Sequence, residues 1–407
     1  MRGVDGGDAR KLDDPIVAGL SRGALIIGLV SLLSDISTEM IYPLVPIFLT
    51  ETLAAPKTAV GLIEGIAVGT ASIVTAFSGW ISDRMGRRKP VAFTGYALTA
   101  ASRPLLALAS LWPVVMAARF ADRFGKGIRS APKDALLADS TPSRLWGRAY
   151  GFERMMDHSG AVFGPLIGLL LLWLYGEQRI STIFLISTVP AATAALLILT
   201  VRETRAREGS SPRQVRLSLA GTSPEFKKLL IVTAVFGMAN SANAFLILRA
   251  ENLGLATGMT ILAYALFNAI ASLFSMPAGA ASDRLGRRNL LAAGYAVYAI
   301  SYLGFALATE AWMVWPLFAL YGLFPALTEG VAKAMAVDTA GTAGRATAIG
   351  IYAMILGVTQ IAASSVGGLL WDLVSPAATF YFGAGLALLS VLLLIALFPS
   401  ISQKRAL

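Results

Sequence analysis

Short polar interruptions cut this chain into twelve runs of mostly apolar residues, at about 23–50, 58–82, 90–109, 112–138, 146–174, 180–201, 227–251, 257–282, 289–308, 312–338, 344–370 and 376–399. Crossing the hydrocarbon core of a bilayer takes about 20 such residues in helical form. Lipid offers no partner to a backbone N–H or C=O, so a spanning segment must satisfy its own hydrogen bonds, which leaves helices or closed barrels. Runs of this length predict helices. The composition agrees: 56% of residues are hydrophobic and 14% charged, against about 25% charged in a soluble domain. The fold expected is an all-α membrane protein with 12 transmembrane helices in two six-helix halves.

The formal charge of +10 is distributed by topology. Basic residues crowd alternate loops: Arg2, Arg10, Lys11 and Arg22 before the first helix, Arg84, Arg87, Arg88 and Lys89 after the second, and Arg144 and Arg148 after the fourth. The stretch after the sixth helix carries Arg202, Arg205, Arg207, Arg213 and Arg216, and the opposite loops hold little beyond Lys57, Arg179 and Arg249. This positive-inside bias places both termini in the cytoplasm of an inner-membrane protein and removes nucleic acid as a partner. Cysteine is absent, which excludes disulfides, thiolate metal sites and thiol nucleophiles. The first twenty residues lack the apolar core of a cleavable signal.

A repeat organises the chain. The loop GWISDRMGRRKP at 79–90 returns as GAASDRLGRRNL at 279–290, each between two apolar runs. Lys133 and Lys333 repeat the same offset, and Asp139 with Arg148 is echoed by Asp338 with Arg345. Duplicated helical halves in a membrane are the build of secondary transporters. The polar stretch at 202–226, rich in Ser, Pro, Gly and Arg, predicts a cytoplasmic linker between a six-helix bundle at 1–201 and another at 227–407.

These residues give the chain a resemblance to the major facilitator superfamily over nearly its whole length. The family's loop signature G-x-x-x-D-R-x-G-R-R/K is met by Gly79, Asp83, Arg84, Gly86, Arg87 and Arg88, and again by Gly279, Asp283, Arg284, Gly286, Arg287 and Arg288. The resemblance implies a cytoplasmic gate. Asp83 would meet the positive N-terminal end of the eleventh helix, Arg87 or Arg88 would bind Asp139, and Asp283 with Arg345 and Asp338 with Arg287 or Arg288 would form the twin. Such contacts are expected only while the cytoplasmic side is closed. The stretch GAVFGPLIG also resembles the G-x-x-x-G-P-x-x-G signature of the family's proton-driven exporters, through Gly160, Gly164, Pro165 and Gly168.

Ionisable residues inside the runs are the sharpest functional signal, because a charge at the bilayer centre costs about 2.5–3.5 kcal/mol even on insertion scales. Asp35 and Glu39 lie on the first helix, Glu64 on the second, Arg103 on the third, Glu329 and Lys333 on the tenth. Arg119, Asp122, Arg123 and Lys126 share one face of the fourth, and Glu153, Arg154, Asp157 and His158 follow on the fifth. Opposite signs suggest Arg119 and Arg123 paired with Asp157 and Glu153. For Glu153, Arg154 and Lys126, static pairing competes equally with a functional role. His158 reads as a proton relay or as a packing residue beside Asp157. Exporters place a glycine four residues after the fourth helix's arginine, whereas Gly125 lies six after Arg119, so Arg119 and Arg123 compete for the coupling role. Asn240, Asn243 and Gln360 add hydrogen-bonding groups to the cavity.

The expected function is alternating-access transport of a small solute by a lipid-embedded monomer, energised by the proton gradient without a cofactor. Proton-coupled efflux leads. Proton-coupled import, and carriage of a hard divalent metal or its chelate on Asp35, Glu39 and Glu64, are the alternatives. A receptor without flux has no output domain to signal through, no nucleophile–base pair suggests an enzyme, and no G-x-x-x-x-G-K-S/T loop suggests ATP.

Overall fold

The computed structural model describes residues 20–85, 87–141, 146–202, 222–339 and 345–399. Twelve helical passages account for nearly all of them: α1 (Arg22–Thr52), α2 (Lys57–Met85), α3 (Lys89–Ala107), α4 (Trp112–Asp139), α5 (Trp146–Tyr175) and α6 (Glu177–Ile198), then α7 (Pro224–Asn252), α8 (Thr257–Leu285), α9 (Arg287–Leu307), α10 (Ala311–Thr339), α11 (Arg345–Leu373) and α12 (Pro376–Leu397). Most of the predicted linker, 203–221, lies outside the described residues.

Helix starts follow local chemistry. Ser21, Ser223 and Ser375 each accept a hydrogen bond from the N–H three residues on, and Pro224 and Pro376 occupy first-turn positions that need no donor. Gly286, between α8 and α9, has φ +84°, a conformation open to glycine and strained for other residues. Arg249, the basic residue on the sparse side, is buried. It donates to the carbonyls of Phe305 (3.0 Å) and Ala308 (2.8 Å) at the end of α9, so it serves as a cap for orphan acceptors.

Among the described residues ten of the passages are long and apolar enough to cross a membrane, fewer than the twelve expected. The two that fall short are α3, diluted by hydroxyl side chains and Arg103, and α4, laden with charge. Their polar groups turn inward: Arg103, Arg119, Asp122 and Arg129 are buried in protein. Composition along a helix overstates what lipid meets when the charged face is covered by neighbours.

In the first half α1 packs on α5, and α4 on α2 and α3; in the second α8 packs on α10, and α9 on α10 and α12. The halves meet along α2–α11 and α5–α8, pairs related by the six-helix repeat. The α2–α11 seam lies at the end remote from the DRxGRR loops. A Cβ on Gly65 would stand 3.0 Å from the Ile361 carbonyl oxygen, and one on Gly368 2.7 Å from that of Lys57, so the backbones touch there.

Candidate functional site: a central cavity between the halves

The first helix of each half is broken at the same place. α1 turns through Met40–Pro43 before resuming, and α7 leaves helical geometry at Asn240–Asn243, two hundred positions on. At depth in a membrane, non-helical backbone is tolerated where protein or a cavity satisfies it. Here Ser364 accepts the Ala242 N–H at 3.1 Å, and both breaks face one cavity of about 540 Å³.

The cavity's second-half wall is aromatic and amide-rich. Phe236 stacks on Tyr295 with centroids 3.8 Å apart, Phe324 packs beside them, and Asn240, Asn243 and Gln360 line the same space. The Tyr321 hydroxyl donates to Asn243 Oδ1 at 2.9 Å, which leaves the Asn243 NH₂ facing the cavity. From the first half come Tyr42 and Lys126; from α10, Glu329 and Lys333. Lys126, Glu329 and Lys333 form no ion pair within 4 Å among the described residues, although Glu329 and Lys333 are one helical turn apart.

Behind this wall the first half holds a buried charge network whose partners differ from those expected. Arg119 grips Glu64 of α2 with two hydrogen bonds, 2.8 and 2.7 Å, and reaches Asp122 at 3.5 Å. Asp122 also receives Arg103 of α3 at 3.1 Å and stands 3.9 Å from Arg123. Arg103 further donates to Ser37 and Thr38 of α1, so one guanidinium joins three helices. The expected pairing of Arg119 and Arg123 with Asp157 and Glu153 does not occur. Each arginine finds a carboxylate closer to hand, on its own helix or on α2. Glu153 instead binds Lys133 and accepts from Ser31 at 2.8 Å, while Arg154 stands 3.8 Å from Glu153 and 3.5 Å from Asp157.

Asp35 and Asp157 face a second, smaller cavity with Lys126, Arg129 and Lys133. Lys126 lines both cavities. Glu39 is reached from the other half: the Tyr264 hydroxyl of α8 donates to its Oε2 at 3.1 Å, and Tyr264 stacks on Tyr42 at 5.4 Å. The three carboxylates considered for a metal do not converge, since Glu64 is held by Arg119, Glu39 by Tyr264 and Asp35 lines a separate small cavity, and no group of three potential ligands occurs among the described residues. His158 is half-buried and lines neither cavity.

The glycines of α5 pack against the backbone and Cβ atoms of α1 at Asp35 and Glu39. A Cβ on Gly160 would lie 2.7 Å from that of Asp35, one on Gly164 2.8 Å from that of Glu39, and Gly168 faces the Met40 carbonyl. Pro165 lies inside this stretch.

At the loop end Arg88 pairs with Asp139, also donating to the Ala135 carbonyl at 3.2 Å, and Arg287 pairs with Asp338 at 2.8 Å. Each pair joins helices of one half, and both form while the remote end is shut, so neither ties the halves together. Gly79 lies within α2, and Arg87 is exposed. Gly86 and the side chains of Asp83, Arg84, Arg148, Asp283, Arg284 and Arg345 lie outside the described residues.

Sequence reasoning missed Tyr42, Tyr264 and the aromatic wall, because an aromatic in an apolar run carries no sign of which neighbour it meets. It also missed Asp372 in the last turn of α11, which accepts from the Thr58 N–H of α2 at 2.7 Å.

The model of the Major Facilitator Superfamily matches residues 27–248 and again 229–406. An MFS-type transporter of Methanocaldococcus jannaschii is 33% identical over 382 residues, 92% of this chain and 95% of that protein. A multidrug resistance protein of Yersinia enterocolitica is 32% identical over 152 residues, 37% of this chain and 38% of that protein. The crystal structures of a POT family transporter with a bound peptide conjugate (TM-score 0.80, 12% identity, 95% of this chain and 98% of that one) and of the nucleoside transporter NupG (TM-score 0.76, 13% identity, 93% and 100%) share the fold. With its two matched halves around one central cavity, the chain belongs to the Major Facilitator Superfamily of multi-pass membrane transporters.

Proposed function

We propose that the protein is a proton-coupled carrier of a small solute, working from the inner membrane by exposing the central cavity alternately to each side, with efflux by proton exchange as the leading reading. The observation that carries it is the close packing of the α5 glycine face on α1 at the two residues, Asp35 and Glu39, that bear its buried carboxyls. With no side chain between the helices at these positions, a small shift in the carboxyl-bearing segment of α1 is transmitted directly to α5. Asp35 and Asp157 line one small cavity, where a proton would be taken up or released between two carboxyls. Gaining or losing it changes the charge of a buried site by a full unit, which low-dielectric surroundings make costly. With the basic loops in the cytoplasm, the closed α2–α11 seam lies outside and the arrangement is inward-open. The proton gradient suffices as energy source: one proton through 100 mV supplies about 2.3 kcal/mol.

Co-transport is the second reading, favoured by one feature. Lys126 lines both the Asp35–Asp157 cavity and the large one. Protonating the carboxyl pair weakens its hold on the ammonium and leaves Lys126 to the solute, so proton and solute would bind together.

A thermal-shift screen identifies a solute, which is then loaded into proteoliposomes and diluted outward. Exchange acidifies the lumen, co-transport makes it alkaline, and Asp35→Asn abolishes either response. Solute flux with no proton movement overturns the reading.

A further inference from the structure

We infer that the cargo is an organic anion with an aromatic or extended apolar body, its acidic group held between Lys126 of the first half and Lys333 of the second. The inference rests on the transport reading above and adds the chemistry of the cargo.

Three ionisable side chains line the large cavity, two basic, Lys126 and Lys333, and one acidic, Glu329. None has an ion-pair partner within 4 Å among the described residues. That is unusual beside the network behind it, where Arg103, Arg119, Asp122 and Glu64 are all engaged. A fold that neutralises its charges so thoroughly a few residues away leaves two ammonium groups from opposite halves facing one space. When the halves close over that space the two like charges approach in a medium of falling dielectric, and their repulsion grows accordingly. An anion between them turns that penalty into attraction, so the cargo itself permits closure.

The neutral part of the cavity describes the rest of the molecule. Phe236, Tyr295 and Phe324 present ring faces and edges, a surface for a flat or apolar body. The Asn240 and Gln360 amides have no hydrogen-bond partner among the described residues, and supply donors and acceptors for polar substituents. Glu329 disfavours a second acidic group near Lys333, which points to a monoanion. A cation would meet two ammonium groups and one carboxylate; a hard metal would find no cluster of ligands.

The test uses the purified full chain in lipid nanodiscs and three probes with one ring system: naphthylacetate, naphthylacetamide and naphthylethylamine. Naphthylacetate should raise the melting temperature, and the amide and the amine should not. Lys126→Gln and Lys333→Gln should each weaken naphthylacetate binding about tenfold, the loss of one charge-assisted hydrogen bond, while melting without probe stays near wild type. Lys126→Arg and Lys333→Arg should retain most of the affinity. Stabilisation by the amine equal to or above that by the carboxylate overturns the inference, as does no stabilisation by millimolar naphthylacetate, or binding that survives both glutamine variants. In wild-type proteoliposomes, uptake of naphthylacetate without proton movement would overturn proton coupling and leave the cargo class standing. Proton movement driven only by the amine would do the reverse.

Discussion

Asp372, at the end of α11, caps the first turn of α2 from the other half of the molecule, accepting the Thr58 N–H at 2.7 Å and the Thr58 hydroxyl at 2.6 Å. The Lys57 N–H adds a third bond at 3.2 Å. A carboxylate at a helix N-terminus meets orphan donors and the positive end of the dipole. Because the two helices belong to different halves, this cap exists only while the remote end is closed.

Asp372→Ala should therefore favour opening of that end. Losing such a cap costs about 1 kcal/mol, roughly fivefold in population. The chain contains no cysteine, so Ser364→Cys in the α2–α11 seam gives a single reporter. Its labelling by a hydrophilic maleimide should rise about fivefold in the Asp372→Ala background, and an unchanged rate would show that the cap does not hold the seam.

Glu64 and Arg119 form a buried two-bond pair. Glu64→Gln keeps one acceptor but removes the charge, leaving Asp122 at 3.5 Å as the nearest carboxylate to the buried guanidinium among the described residues. Removing one partner of such a pair costs about 3–5 kcal/mol. The melting temperature in detergent should fall markedly; a fall no larger than that of a surface control such as Glu310→Gln would mean the pair contributes little.

Gly164 is a packing position with a specific neighbour. Gly164→Val places methyl groups against Glu39 and forces α1 from α5, at a cost of about 1–3 kcal/mol. Solute flux should drop at least several-fold, with a smaller effect from Gly385→Val, whose added Cβ meets nothing within 4 Å. Equal effects at the two glycines would remove the α1–α5 contact from the mechanism.

The sharing of Lys126 makes the sign of coupling measurable. Asp35 of α1, Asp157 of α5, Tyr96 of α3, and Arg129 and Lys133 of α4 surround its inner side. Under the leading exchange reading proton and solute compete, so naphthylacetate affinity should fall between neutral and mildly acidic pH. Affinity that rises on acidification, as the carboxyls beside the Lys126 ammonium are neutralised, would favour co-transport over exchange.

Much of this was legible in the chain. Twelve apolar runs, the repeated loop and the alternating basic segments specified a two-half helical membrane protein, because bilayer thickness and backbone hydrogen bonding leave few alternatives. The intramembrane charges were equally visible, and they do gather in the first half. Their pairing was not. Arg119 turned to Glu64 rather than Asp157, and Arg123 to Asp122, since sequence gives the face of a helix but not the rotation and height at which a neighbour meets it.

Three features needed the tertiary structure. The matching breaks in α1 and α7 became a cavity only when the halves faced each other. Which arginine of each loop meets the carboxylate, Arg88 for Asp139 and Arg287 for Asp338, was decided only by the fold. Lys126, expected equally as a static partner on a charged helix, lines both cavities and has no ion-pair partner within 4 Å among the described residues. The sequence by itself determined which segments form long apolar helices, that they come in two copies, and that charge is kept inside at a cost. Tertiary structure decided which of those charges neutralise one another and which are left facing the central cavity, because a separation of a few ångströms between helices, invisible in a linear pattern, decides whether a buried ion pair forms.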